Sequence, residues 1–315
     1  MRSIPITITL GFLLLIGCTL SETSPKTSNR SDVTYEYMTL NVMNNGKPAI
    51  ISAELVLPSN ASGPLPLIIT QHGSSRDGTS FKMGKGRTDE MSRRIRQQAP
   101  KRGFAVVSLD AFYNTGIKPG DKRKFPNAAQ YATQLKTFLQ SDPRIDQSRI
   151  FYIGFSYGGS NVLKSYGSDY EFQGAQWRAT ASLEPGCNVV LDPQKRNYAT
   201  IIFKGTKSHY YPQACQWYAK KLRDAGNQIE LVLVEGANHF FSTNGHIVNG
   251  KAVNGCSDNP VIRYSNGTLR HVDGTSTNRD QVIKDCITKQ GGAGLNRIHL
   301  NWVIDRALSF FESKL

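Results

Sequence analysis

Apolar runs of strand length alternate along the chain with stretches in which apolar residues recur at helical spacing. The pattern predicts strands near 33–43, 49–57, 66–71, 104–109, 149–154, 178–184, 199–204 and 229–234. Helices are predicted over 87–101, 127–140, 157–166, 211–225 and 297–313, the last with Leu300, Val303, Ile304, Leu308 and Phe311 on one face. Two opening strands followed by strand and helix in alternation predict an α/β protein, with a mostly parallel eight-stranded sheet covered by helices on both faces. The 315 residues suit one such domain, placed at 33–315. In this architecture the loops at the carboxyl ends of parallel strands converge on one rim, where residues distant in sequence meet.

The alternation breaks after His239, which marks an insertion at about 242–296. Within it Asn249-Gly250 lies between Val248 and Val253, and Asn266-Gly267 between Val261 and Val272. Asn-Gly suits the positive φ angles of a tight turn, so both stretches predict hairpins. Thr277, with Asp280 three residues on, predicts a helix start in a capping-box-like arrangement.

Chemistry enters at Gly154-Phe155-Ser156-Tyr157-Gly158-Gly159, between the apolar run ending at Ile153 and a helical stretch. Taken alone, this is also what a glycine-rich turn with a capping serine looks like. Its placement between strand and helix makes it a nucleophile elbow, a turn that exposes a serine hydroxyl beside a base. Two further parts follow strands in the required order: Gln71-His72-Gly73-Ser74 upstream and Gly236-Ala237-Asn238-His239 downstream. Ser156 is then the nucleophile and His239 the base, with the Ser74 and Tyr157 amides as oxyanion donors.

These segments resemble the dienelactone hydrolase family of α/β-hydrolases. The likeness runs over roughly 48–239, resumes in the final helix, and includes Gly103 to Phe112, Asp142 to Ile150 and Pro185-Gly186-Cys187. It implies the α/β-hydrolase fold. Founding members carry a cysteine nucleophile where this chain has Ser156, so their lactone specificity is not carried over. In such families the triad acid usually follows a glycine closing the seventh strand, whereas Gly205-Thr206-Lys207-Ser208-His209 holds no carboxylate. Asp169, Glu171 and Asp224 follow or end helices, and Glu230 opens a strand at the wrong edge. Glu184, after the sixth strand, is the favoured acid, with Asp192 and Glu235 left open.

The first residues change where the domain is placed. Arg2, an apolar run from about Ile4 to Ile16, and Leu15-Ile16-Gly17-Cys18 have the form of a bacterial lipoprotein signal over 1–17, with Cys18 the acylated residue. The segment 18–32 then reads as a flexible tether, and the protein as an envelope-anchored one attached to a membrane through lipid. Export makes disulfides expected. Of the three pairings that four cysteines allow, the preferred one joins Cys256 to Cys286, bracketing the insertion, and Cys187 to Cys215, in loops expected near one sheet edge.

The formal net charge of +14 comes from dispersed cations without a nucleic-acid motif, so no nucleic-acid partner is expected. A denser patch, Lys82, Lys85, Arg87, Arg93, Arg94 and Arg96, raises a preference for acidic esters. No C-x-x-C or H-E-x-x-H spacing suggests zinc, and neither metal nor cofactor is expected. The resulting expectation is a serine hydrolase acting on a small-molecule carboxylic ester or related acyl compound through an acyl-enzyme on Ser156. Its specificity would be set among Phe112, Tyr113, Tyr210, Tyr211 and the insertion. The rivals are a small peptidase and a non-catalytic binding lipoprotein whose triad has decayed.

Overall fold

A computed structural model describes residues 27–30, 32–78, 80–168, 170–172, 175–242, 250–252, 254–290 and 295–315. The expected signal, Cys18 and most of the tether lie outside the described residues, as do Val248, Asn249 and Val253.

In chain order the body contains β1 (Thr27–Arg30), β2 (Val33–Asn44), β3 (Lys47–Pro58), β4 (Leu65–Gln71), α1 (Glu90–Gln98), β5 (Ala105–Asp110) and α2 (Ala128–Leu139). It continues with β6 (Ile145–Phe155), α3 (Tyr157–Lys164), β7 (Ala179–Leu183), β8 (Val189–Leu191), β9 (Ala199–Gly205), α4 (Pro212–Asp224) and β10 (Gln228–Val234). The main sheet has the order β1-β2-β3-β5-β4-β6-β7-β9-β10. The pairs β1·β2, β2·β3 and β3·β5 are antiparallel and all the others are parallel. These are the eight expected strands in an α/β-hydrolase sheet, with β1 as a short ninth at the edge, inside the segment read as tether.

Strand alternation sorts the core into two layers. Leu67, Ile69, Val107, Tyr152 and Ile202 face Leu135, Val162 and Tyr218 of the helices α2, α3 and α4. Ile68, Val106, Phe151, Ile153 and Phe203 face Met91 and Ile95 of α1 and Val303, Ile304 and Phe311 of the final helix. Because both sheet faces are covered, the central strands are apolar throughout rather than alternating with polar residues.

The insertion supplies β11 (Gly250–Ala252), β12 (Val261–Arg263), β13 (Leu269–His271), β14 (Ser276–Thr277), α5 (Arg279–Cys286) and β15 (Thr288–Gln290), and α6 (Arg297–Glu312) closes the chain. The five predicted α6 residues are buried, whereas Ile298 and Trp302 stand 80% and 49% exposed. The second hairpin is β12 antiparallel to β13, with Gly267 at φ 82°. β12 also pairs in parallel with β8, which joins the insertion to the loop after β7. Of the stretch read as the first hairpin, Gly250–Ala252 pairs antiparallel with Thr288–Gln290, and the rest lies outside the described residues. The helix start also moves, because Asn278 rather than Thr277 caps α5, its side chain accepting from the Gln281 amide. Both disulfides join the expected cysteines, Cys187–Cys215 and Cys256–Cys286, each with Cα atoms 4.9 Å apart.

Candidate active site

Ser156 stands where β6 ends and α3 begins, at φ 53° and ψ −108°, a conformation strained for any residue with a Cβ. The strain is held from both sides, since the Ser156 amide donates to Leu183 O at 2.8 Å and its carbonyl accepts from the Ser160 amide at 2.8 Å. The turn can be this tight because two glycines face close backbone. A Cβ on Gly154 would collide with the Gly158 carbonyl group, and one on Gly158 with Gln71 O.

The three residues singled out for catalysis meet at the carboxyl rim of the sheet. Ser156 Oγ lies 3.0 Å from His239 Nε2, and His239 Nδ1 lies 3.1 Å from Glu184 Oε2. Of the other acids left open, Asp192 pairs with Lys221 at 3.2 Å and Glu235 is exposed in the turn after β10. Glu184, itself at φ 51°, reaches His239 from the strand next to the usual one. Its carboxylate is saturated with donors: Lys204 Nζ at 3.0 Å and Ser208 Oγ at 2.8 Å on Oε2, and the Gly205 amide on Oε1.

Burial opposes charge on Glu184, yet Lys204, His239 and the Gly205 amide together outweigh it and hold the carboxyl at about 2. Burial pushes His239 below its ordinary value, the Glu184 carboxylate pulls it back, and Lys204 and Lys122 add to the downward push. Lys204 is lowered by burial against the attraction of Glu184. At neutral pH the site therefore holds a neutral imidazole beside an ionised carboxylate. The Glu184 contact assigns the proton to Nδ1 and leaves Nε2 to accept from Ser156. His209 packs edge-on to His239 at 4.7 Å between ring centroids and stacks on Phe240 at 4.8 Å. Burial, with His239 and Lys204 adding to it, depresses His209 to about 3, so it too is neutral.

The loop after β4 is braced by two carboxylates. Asp89 accepts from the Gly73 amide at 2.7 Å while capping α1 through the Ser92 amide at 2.8 Å. Asp110 receives Arg76 at 3.0 Å and the Arg87 amide at 2.9 Å. With the Gly73 amide engaged, the Ser74 amide is the next donor along the turn. Tyr157 is the first residue of α3, where an amide has no partner within the helix. Among the described residues neither amide has a backbone acceptor in the turns and caps. His72 is a structural histidine: Nδ1 donates to Gly73 O at 2.7 Å and Nε2 accepts from the Ala111 amide at 3.0 Å.

The basic patch is largely paired internally. Arg93 and Arg94 both meet Glu90, the latter at 2.8 Å; Arg96 meets Glu54, and Lys82 donates to Tyr35 Oη at 2.7 Å. That pairing removes most of the argument for acidic esters. Of the aromatic residues expected to shape a pocket, Tyr210 stands 4.8 Å from the His239 ring, while Phe112 is buried against Tyr157 at 5.2 Å. A cavity of about 490 Å³ opens beside α3, bordered by Ser160, Leu163, Val190, Tyr218 and, from the insertion, Arg263. Lys204, Ser208, Asp89 and Asp110 were not singled out from sequence. The signal available was the lysine ending Ile201-Ile202-Phe203-Lys204, a charge inside an otherwise apolar strand.

No protein-family model matches the chain, and no curated relative does. Solved structures share its fold. A Klebsiella pneumoniae protein assigned as a dienelactone hydrolase superposes with a TM-score of 0.54 at 15% identity, covering 88% of this chain and 98% of its own. P91, a dienelactone hydrolase-like promiscuous phosphotriesterase from metagenomic libraries, gives 0.55 at 13% identity, covering 89% and 98%.

Proposed function

We propose that this chain, which has the α/β-hydrolase fold of the dienelactone hydrolase-like proteins, is a serine hydrolase that cleaves a carboxylic ester or related acyl compound. One observation carries the reading: hydroxyl, imidazole and carboxylate form an unbroken relay from Ser156 through His239 to Glu184.

The steps follow from the geometry. His239 Nε2 takes the Ser156 proton as Oγ attacks the acyl carbon, and the Ser74 and Tyr157 amides receive the negative charge that develops on oxygen. The imidazolium then gives its proton to the departing alcohol, leaving an acyl-enzyme. Water, deprotonated by the same imidazole, attacks the acyl carbon and releases the acid and the free serine. Glu184 stays ionised throughout, holding the Nδ1–H tautomer and stabilising the imidazolium. The position after β9 that lacks a carboxylate is compensated from β7, which supports an enzyme over a binding lipoprotein with a decayed triad.

A fluorophosphonate probe tests this directly, because its phosphorus is attacked by an activated serine and not by a resting one. Mass spectrometry should find the label on Ser156, with labelling lost in His239→Ala. An intact, folded protein that takes no label would overturn the reading.

The envelope anchor belongs to the same proposal and rests on Leu15-Ile16-Gly17-Cys18. Two disulfides are consistent with a domain that matures in an oxidising compartment. Expressed in a bacterium with a labelled fatty acid, the full chain should acquire the lipid and Cys18→Ser should not. Equal incorporation in both would remove the anchor.

A further inference from the structure

We propose that Lys204 is a positioning residue for the Ser156–His239–Glu184 relay: its buried ammonium fixes the Glu184 carboxylate against His239 and opposes protonation of the imidazole. The inference rests on the hydrolase reading for its kinetic consequences, but not for its electrostatics.

Sheet register puts the two groups side by side. β7 and β9 run parallel with Leu183 matched to Phe203, so Glu184 and Lys204 follow as the next matched positions. Both side chains are fully buried; Lys204 Nζ sits 3.0 Å from Glu184 Oε2 and 3.2 Å from Pro185 O, and 5.6 Å from the Tyr210 ring centroid. A lysine with no exposed surface is tolerated only where an opposite charge and acceptors replace water. Here the opposite charge is the triad acid itself.

The shared oxygen makes the lysine more than a stabilising partner. Glu184 Oε2 receives Lys204 Nζ, Ser208 Oγ and His239 Nδ1, while Oε1 takes the Gly205 amide. With both oxygens engaged, the carboxylate cannot rotate away from the ring. In this chain the acid comes from one strand over, and Lys204 ties it down there.

The electrostatic consequence has a fixed sign. The groups facing His239 are Glu184 at the end of β7, Lys204 on β9, His209 and Tyr210 in the loop after β9, and Lys122 ahead of α2. His209 is neutral, so Glu184 is the attracting charge, and Lys204 and Lys122 are the repelling ones. Removing the Lys204 cation raises the proton affinity of the Glu184–His239 pair, whichever of the two holds the proton. The base is then protonated at higher pH and the acid limb of kcat/KM moves upward.

The test compares wild type with Lys204→Met, which keeps the chain length without the charge, and Lys204→Gln, which keeps donors without the charge. kcat/KM for a p-nitrophenyl ester is followed from about pH 4 to about pH 9, and the His239 ring is titrated by nitrogen NMR. Both readouts should shift upward by about one to three pH units in either variant that folds. Turnover near pH 6 should fall by at least about tenfold, with partial recovery at alkaline pH. A loss uniform across pH, with the His239 titration unchanged from wild type, would overturn the proposal. Failure of both variants to accumulate as folded protein, with wild type stable, would also overturn it, because it reduces the lysine to a structural role. A wild type that hydrolyses no ester and takes no probe defeats the function instead, and the NMR titration still decides the role of Lys204.

Discussion

Ser156→Ala should leave a folded protein whose ester turnover falls on the order of 10⁶-fold, the size of effect seen when a triad nucleophile is removed. The side-chain contact found for Ser156 Oγ is the one to His239 Nε2 at 3.0 Å, so alanine removes one hydrogen bond and leaves that ring nitrogen without its protein partner. Alanine at φ 53° meets the same backbone strain as serine, and the backbone bonds to Leu183 and Ser160 survive. Stability should therefore fall by no more than about 1 to 3 kcal/mol, a loss small enough to be separated from the loss of activity. The Ser74 and Tyr157 amides remain, and with substrate binding they should leave residual catalysis of about 10³-fold over water. Steady-state kinetics on a short p-nitrophenyl ester, with thermal unfolding as the control, checks both halves. Turnover within tenfold of wild type would refute the nucleophile.

The parts of the molecule legible in the sequence are those whose signal is local. Burial on both sheet faces writes itself as apolar strands, and burial on one helix face as the spacing of Leu300, Val303, Ile304, Leu308 and Phe311, so strands and helices could be placed from pattern alone. The elbow was legible because its glycines are required by contacts within a few residues and by the adjacent strand. What pattern cannot carry is the choice of partner. Asn278 and Thr277 are both competent caps, and only the packed chain shows that the helix begins at Arg279. Nothing in the local pattern names Thr288–Gln290 as the strand that pairs with Gly250–Ala252. Arg96 reads as part of a free basic patch because its partner Glu54 lies on a strand far upstream, whereas Glu90, which holds Arg93 and Arg94, is a neighbour on the same helix. The triad acid was ambiguous for the same reason. Glu184, Asp192 and Glu235 all follow strands, and what distinguishes Glu184 is its contact with His239, made beside the cross-strand neighbour Lys204.

That neighbour makes Glu184→Gln the most informative change after the nucleophile, with an expected loss of about 10⁴-fold in turnover. Every group around the carboxylate is a donor: Lys204, Ser208, His239 and the Gly205 amide. A glutamine offers one oxygen and one NH₂. If the NH₂ faces His239, it forces the proton to Nε2 and the base can no longer accept from Ser156. If it faces Gly205, two donors oppose each other and Lys204 loses its counter-charge. Either placement also destabilises the fold, by about 3 kcal/mol or more when a buried ion pair is broken from one side. Above pH 4.5 Glu184 is ionised in both folded and unfolded chains, and its depressed folded value of about 2 contributes stability that is lost as pH falls between them. Glu184→Gln should lack that part of the acid transition, which pH-dependent unfolding would show. Asp192→Asn and Glu235→Gln should each cost less than about tenfold in turnover, since the first acid is partly exposed against Lys221 and the second faces solvent. Were Glu184→Gln to retain turnover within tenfold while either of these collapsed, the relay would run through another carboxylate and Lys204 would have no part in it.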